Sequence, residues 1–140
     1  MGYEALVRVR KDNENISPFE LFEQAEAKDL TAELDRHLLQ IHLDNFAASS
    51  QPVWLFLNIN PGTCIHPEAS LEKLALQCQS SGIDPEKVVL ELVETASDNP
   101  AALLEFILKA KAHGFQIAID DFGMGDSNFE RLWRINPLIV

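Results

Sequence analysis

The sequence predicts an α/β fold in which a parallel sheet is covered by helices. Three observations carry that expectation. Short apolar runs alternate with segments of helical periodicity along the 140 residues, without an internal repeat or a low-complexity linker. The runs Val53-Trp54-Leu55-Phe56-Leu57 and Val88-Val89-Leu90 are apolar at consecutive positions, as strands buried on both faces are. Strands that are joined through helices must cross over and therefore run in the same direction.

Taken in order, the first strand candidate runs from Tyr3 to Val9. Ser17-Pro18-Phe19-Glu20 reads as an N-cap, a proline at the first helical position and a capping-box glutamate, opening a helix to Lys28. A second helix follows from Thr31 to Phe46, with Leu34, Leu38 and Ile41 on one face. Pro52 to Leu57 is the next strand, and Leu71, Leu74 and Cys78 mark the inner face of a helix that stops before Gly82. Lys87 to Leu92 is a strand. Between Asn99-Pro100 and Gly114 lies a helix whose buried side is Leu103 or Leu104 with Ile107 and Leu108. Phe115 to Ile119 is a further strand, Ser127-Asn128-Phe129-Glu130 caps a short helix through Trp133, and a last strand begins at Leu138. After the first crossover, strand centres spaced by roughly 20 to 35 residues correspond to one βα unit each. A closed eight-stranded barrel takes about 250 residues, so the chain is either a small open α/β domain or a piece of a barrel.

Composition bounds the function. With 46% hydrophobic and 24% charged residues the chain can bury one core, hence one domain spanning 1–140. Its 11 basic against 22 acidic residues leave a net charge of -11, which repels nucleic-acid polymers. No apolar stretch approaches the roughly 20 residues that span a bilayer, and Met1-Gly2-Tyr3 opens no secretion signal. Cys64 and Cys78 make neither a disulfide framework nor a zinc site and read as reduced thiols of a cytoplasmic protein. His37, His42, His66 and His113 lack ligand spacing and read as surface or core-edge residues; Trp54 and Phe56 read as core. Asp121-Phe122-Gly123 has none of the companions of a kinase site.

Polar residues stand where the apolar runs end. Val53 to Leu57 delivers Asn58, Val88 to Leu90 delivers Glu91 with Glu94 three residues on, Ile117 to Ile119 delivers Asp120-Asp121, and the first strand adds Glu4. In a parallel α/β sheet the strand ends form the active rim, so these groups converge there. Carboxylate and amide oxygens without histidine suit Mg²⁺ or Mn²⁺. Two ions held by adjacent aspartates would clamp a phosphodiester between attacking and leaving oxygens, and cations also reconcile an anionic substrate with a protein charge of -11.

The same residues resemble the motifs of the EAL domain family of bacterial second-messenger signalling. Glu4-Ala5-Leu6-Val7-Arg8 is similar to its EAL signature, Leu57-Asn58-Ile59-Asn60 to its asparagine strand, Leu90-Glu91-Leu92-Val93-Glu94-Thr95 to its Glu-x-x-Glu segment, and Ile119-Asp120-Asp121-Phe122-Gly123-Met124-Gly125-Asp126-Ser127 to its paired-aspartate loop. The likeness implies the amino-terminal half of a TIM-type (β/α) barrel, truncated, lacking the family's first strand and the carboxyl-terminal part of the barrel. It implies a metal-dependent hydrolysis of cyclic di-GMP to pGpG with Mg²⁺ or Mn²⁺. Glu4, Asn58, Glu91 and Asp120 become metal ligands, Asp121 serves the second metal or its water, Glu94 supports the site, and Arg8, with Leu6, contacts substrate. The family's lysine-x-aspartate strand is expected after Val140, so the chain alone is expected to be inactive. Val9, Met124 and Asp126 depart from the residues usual in the family.

The rival reading is a catalytically silent EAL-like module, acting as a cyclic di-GMP receptor or a protein-interaction scaffold. It gains from the altered loop residues, whereas a scaffold has no physical need of five metal-oriented side chains. An unrelated open α/β domain with an acidic metal pocket is the third. A full-length protein could carry sensor or cyclase domains, or a membrane anchor, in segments outside this chain. Open strand edges, Tyr3 to Val9 on one side and Leu138 to Val140 on the other, lead to an expectation of self-association.

Overall fold

In the computed structural model of the chain, the described residues are 2–49, 53–60, 67–93 and 100–120. Their elements follow in the order β1 (Gly2–Ala5), β2 (Val9–Lys11), β3 (Glu14–Ile16), α1 (Pro18–Glu26), α2 (Thr31–Ser49), β4 (Trp54–Asn58), α3 (Pro67–Ser80), a 3₁₀ turn (Pro85–Lys87), β5 (Val88–Val93), α4 (Pro100–Ala112) and β6 (Gln116–Asp120). Strands β1, β4, β5 and β6 lie side by side in that order and pair in parallel. The expected parallel sheet is present. The expected helix from Ser127 and the strand from Leu138 lie outside the described residues.

One expected strand is two elements. The run from Tyr3 to Val9 leaves the sheet after Ala5, and Val9 begins an antiparallel hairpin in which Val9 faces Ile16 and Lys11 faces Glu14. Its turn residues Asp12 and Asn13 both have positive φ, 51° and 69°. This is the geometry that suits a two-residue hairpin, because its twist matches that of the flanking strands. Asp and Asn tolerate it better than most residues, so Asp12-Asn13 was the overlooked signal.

The sheet has two unlike faces. Leu55, Leu57, Val88, Leu90, Leu92, Ile117 and Ile119 pack into one core with Leu39 and Leu43 of α2, Leu71, Leu74 and Cys78 of α3, and Leu103, Phe106 and Ile107 of α4. Register puts Phe56 beside Val89 and Asn58 beside Glu91 on the other face. Trp54 and Phe56 are therefore half-buried on that second face and are not members of the helical core; Lys87 Nζ lies 4.6 Å above the Trp54 ring. The inner side of α2 is also rotated from expectation. Asp35, Leu39 and Leu43 are buried, Leu34 and Leu38 are half-buried and Ile41 is exposed. On α4, Leu108 is exposed and Phe106 is buried in its stead.

Helix ends show why the units have their lengths. Ser17 caps α1 as its sequence implies, its hydroxyl accepting from the Glu20 amide at 3.1 Å. Three helices close with one device, an amide reaching back five residues: Leu30 to the Ala25 carbonyl, Ile83 to Cys78 and Phe115 to Ala110. Each is preceded by a left-handed residue, Asp29 at φ 55°, Gly82 at 70° and Gly114 at 94°. Two of the three are glycine, which has no Cβ to strain there.

Two outcomes follow from these ends and this core. Asp29→Gly relieves a left-handed aspartate and should stabilise the chain by about 0.5–1 kcal/mol, read as a higher denaturant midpoint at constant slope. Burial pushes the Cys78 thiol up to about 12. Peptide mapping after brief alkylation at neutral pH should find Cys78 unmodified in native protein and modified in denaturant, since the thiolate is the nucleophile.

Candidate functional site

Parallel pairing sends the strand ends to one rim, and register decides which side chains stand together there. Glu4 pairs with Phe56, so it shares a face with Asn58, two residues further along β4. Asn58 pairs with Glu91 of β5. Three of the expected ligands, Glu4, Asn58 and Glu91, are thus brought onto one face of neighbouring strands. Asn58 Nδ2 donates to Glu4 Oε1 at 3.1 Å. Glu4 and Asn58 are exposed and Glu91 is half-buried. Asp120 is the last residue of β6, opposite Val93 in register. Asp121 and Glu94 lie outside the described residues.

The backbone that carries Asn58 is held from two sides. The Ile59 amide donates to the Glu91 carbonyl at 3.0 Å, extending the β4–β5 ladder past the end of β4. The Asn60 amide donates to Asp35 Oδ2 of α2 at 3.3 Å. Asp35 is 3% exposed, the buried charged side chain among the described residues. Sequence reasoning passed over it because its neighbours Leu34 and Leu38 suggested a different inner face. The available signal was an acid standing four and eight residues before Leu39 and Leu43.

Beside this segment lies a cavity of about 320 Å³. Leu6 and Arg8, the two expected substrate contacts, line it together with Asn58, Asp35 and His42. Both belong to the stretch between β1 and β2; Leu6 is 50% exposed, and Arg8 is exposed, its Nη1 donating to the Val7 carbonyl at 2.9 Å. His42 is half-buried, and that burial lowers its pKa below the ordinary 6.5.

The donor set fits a hard divalent cation. It offers carboxylate and amide oxygens, with neither thiol nor imidazole among the rim residues. A carboxamide carries its oxygen and nitrogen on opposite sides of one planar carbon. With Nδ2 donating to Glu4, the Asn58 carbonyl oxygen is not the atom that meets that carboxylate. Among the described residues no three His, Cys, Asp or Glu converge, since one of the three gathered side chains is an amide.

A parallel β/α sheet of barrel type with oxygen donors at its carboxyl rim defines a class of protein, and comparison narrows it. The chain belongs to the EAL domain family, whose model matches residues 1–140. It is 28% identical to an uncharacterized EAL-domain containing protein, YkuI of Bacillus subtilis, over 98% of this chain and 34% of that protein. It is 29% identical to a probable cyclic di-GMP phosphodiesterase, PdeI of Escherichia coli, over 98% of this chain and 18% of that one. The crystal structure of YkuI with substrate c-di-GMP and calcium superposes with a TM-score of 0.79 at 25% identity, covering 97% of this chain and 35% of that one. BlrP1 of Klebsiella pneumoniae, in a manganese and cyclic di-GMP complex, gives 0.74 at 25% identity over 86% and 31%. The chain spans about a third or less of these relatives' length. The architecture is therefore that of a partial TIM-like barrel, as expected.

The half-buried His42 makes a pH prediction. Unfolded, His42 takes a proton near 6.5; folded, it resists doing so. The unfolded state then binds more protons as pH falls through that value, so native stability declines on acidification and is regained above it. Between about pH 7.5 and about pH 5.5, His42→Gln should lose less stability than the wild type in parallel denaturant titrations.

Proposed function

We propose that this chain is part of a metal-dependent phosphodiesterase that hydrolyses cyclic di-GMP to linear pGpG. The observation that carries the reading is the meeting of Glu4 and Asn58, 54 residues apart in sequence, at 3.1 Å on the rim where Glu91 also stands. Complexes of related EAL proteins with cyclic di-GMP and calcium or manganese support the substrate and the use of divalent ions.

In this reading Glu4, Asn58, Glu91 and Asp120 hold Mg²⁺ or Mn²⁺, and Asp121 serves the second ion. When bound, such ions supply Lewis acidity, acidifying water and neutralising charge on the phosphodiester. The protein's own residues do the rest. Arg8 offers a planar, permanently charged fork to a phosphate oxygen, a geometry lysine does not reproduce. Leu6 presents apolar surface at the mouth of the same cavity. Asn58 contributes an oxygen without adding charge, which limits repulsion among crowded carboxylates and the anionic substrate. Glu94 supports the carboxylate arrangement.

Calorimetric titration with Mn²⁺ tests the site directly. Asp120→Asn and Glu91→Gln each remove a charged ligand, and each should weaken Mn²⁺ binding by at least about tenfold. Equal affinity in wild type and both variants would remove the ligand assignment. Incubation of the full-length protein with cyclic di-GMP and Mn²⁺ tests the reaction, with pGpG resolved by chromatography. Tight cyclic di-GMP binding without product would favour the silent receptor, the reading that the altered loop residues Met124 and Asp126 favour.

A further inference from the structure

Asp35 is anomalous on stability grounds alone. It occupies the first position of a buried helical stripe, Asp35, Leu39 and Leu43, on a helix whose other inward residues serve a hydrocarbon core. Taking a carboxyl group out of water is costly, and apolar residues of similar volume commonly replace buried charges without loss of stability. A leucine there would extend the stripe by one turn. What Asp35 offers that leucine cannot is an acceptor, and its Oδ2 takes the amide of Asn60.

The target matters because of where it lies. Asn60 is two residues beyond Asn58, at the point where the chain has left β4. On one side the Ile59 amide is tied to the Glu91 carbonyl, so two of the proposed ligands share a backbone link. On the other side Asp35 ties the next amide to α2, while Ile59 is buried in the core between them. Hydrogen bonds on consecutive amides to different elements fix both the height and the rotation of this elbow. A strand end held by the ladder alone is free to fray about its last bond, and a ligand mounted there would fray with it.

We infer that Asp35 is a positioning residue for the proposed metal site, holding the Asn58–Asn60 elbow so that the Asn58 carboxamide stays beside Glu4. The inference rests on the reading of Asn58 as a ligand. The part of Asp35 is to hold the backbone that carries Asn58, through the bond that its Oδ2 accepts from the Asn60 amide. It acts as outer-shell groups do, by restricting the orientations of the group that binds.

The test uses Mn²⁺ alone as probe and hydrogen exchange of the Asn60 amide in metal-free protein as a second readout. Asp35→Leu should fold with the wild-type circular dichroism spectrum, lose Mn²⁺ affinity by roughly 10- to 100-fold and exchange the Asn60 amide faster. Asp35→Asn keeps a carbonyl oxygen at the same place and should restore Asn60 protection and bring Mn²⁺ affinity back to within about threefold of wild type. Wild-type affinity and protection in Asp35→Leu would overturn the inference. If Asp35→Leu does not fold, Asp35→Asn decides, because unprotected Asn60 or a loss of affinity near that of Asp35→Leu's expected range would show that the acceptor is not what matters. Asn58→Ala separates this claim from the one beneath it. Unchanged Mn²⁺ binding in Asn58→Ala would refute the ligand reading while the exchange result still decides whether Asp35 holds the elbow; weakened binding there with none in Asp35→Leu would refute the positioning role alone.

Discussion

The register of β4 between β1 and β5 is the constraint from which the rest of this domain follows. Side chains alternate between faces of a strand, so a slip of one residue would carry Leu55 and Leu57 out of the helical core and turn Asn58 away from Glu4. Burial enforces the correct register. Leu57, Val88 and Leu90 are fully enclosed, and each enclosed aliphatic side chain is worth roughly 1.5–3 kcal/mol relative to exposure. The apolar positions therefore align the polar ones, and the gathering of Glu4, Asn58 and Glu91 is a by-product of packing Leu55, Leu57 and Leu90 on the other side.

Such an arrangement separates two tasks that would otherwise compete. Helices α2, α3 and α4 cover one face with a continuous hydrocarbon core, which supplies the rigidity. The second face carries Glu4, Asn58 and Glu91, and these polar residues can be gathered there because they contribute little to the core. A rim that bears carboxylates on a chain of net charge -11 adds to an already negative potential. In the proposed site, affinity for a cation depends on how firmly the backbone holds the ligands, neutral Asn58 included, which gives the elbow after β4 more weight than its three residues suggest.

Loops contribute in a different manner. Between β1 and the hairpin of β2 and β3, the stretch with Leu6 and Arg8 has left the ladder, so its side chains can border a cavity instead of packing. The hairpin that follows turns the chain through Asp12 and Asn13 and returns it to α1. The family's signature is thus split between Glu4 in the sheet and Leu6 and Arg8 beyond it.

Much of this was determined by the sequence itself. Ser17 and Glu20 marked the start of α1, Gly82 and Gly114 the ends of α3 and α4, and unbroken apolar runs the strands of a parallel sheet, because these signals act on neighbouring residues or on contact with water. Asn58 and Glu91 could be placed at the ends of apolar runs by the same local logic, and the EAL resemblance added Glu4 to their company. Tertiary structure alone decided the remainder. The division of Tyr3 to Val9 into two elements is visible only in the pairing, which joins β1 to β4 as far as Ala5 and then β2 to β3 from Val9, and the rotation of α2 toward Asp35, Leu39 and Leu43 depended on which side the sheet lay. Hydrophobic periodicity reports that a residue leaves water, not what it meets there. The bond from Asp35 to Asn60 spans 25 residues and that from Asn58 to Glu4 spans 54, and separations of that kind become contacts only once the whole sheet has fixed the register.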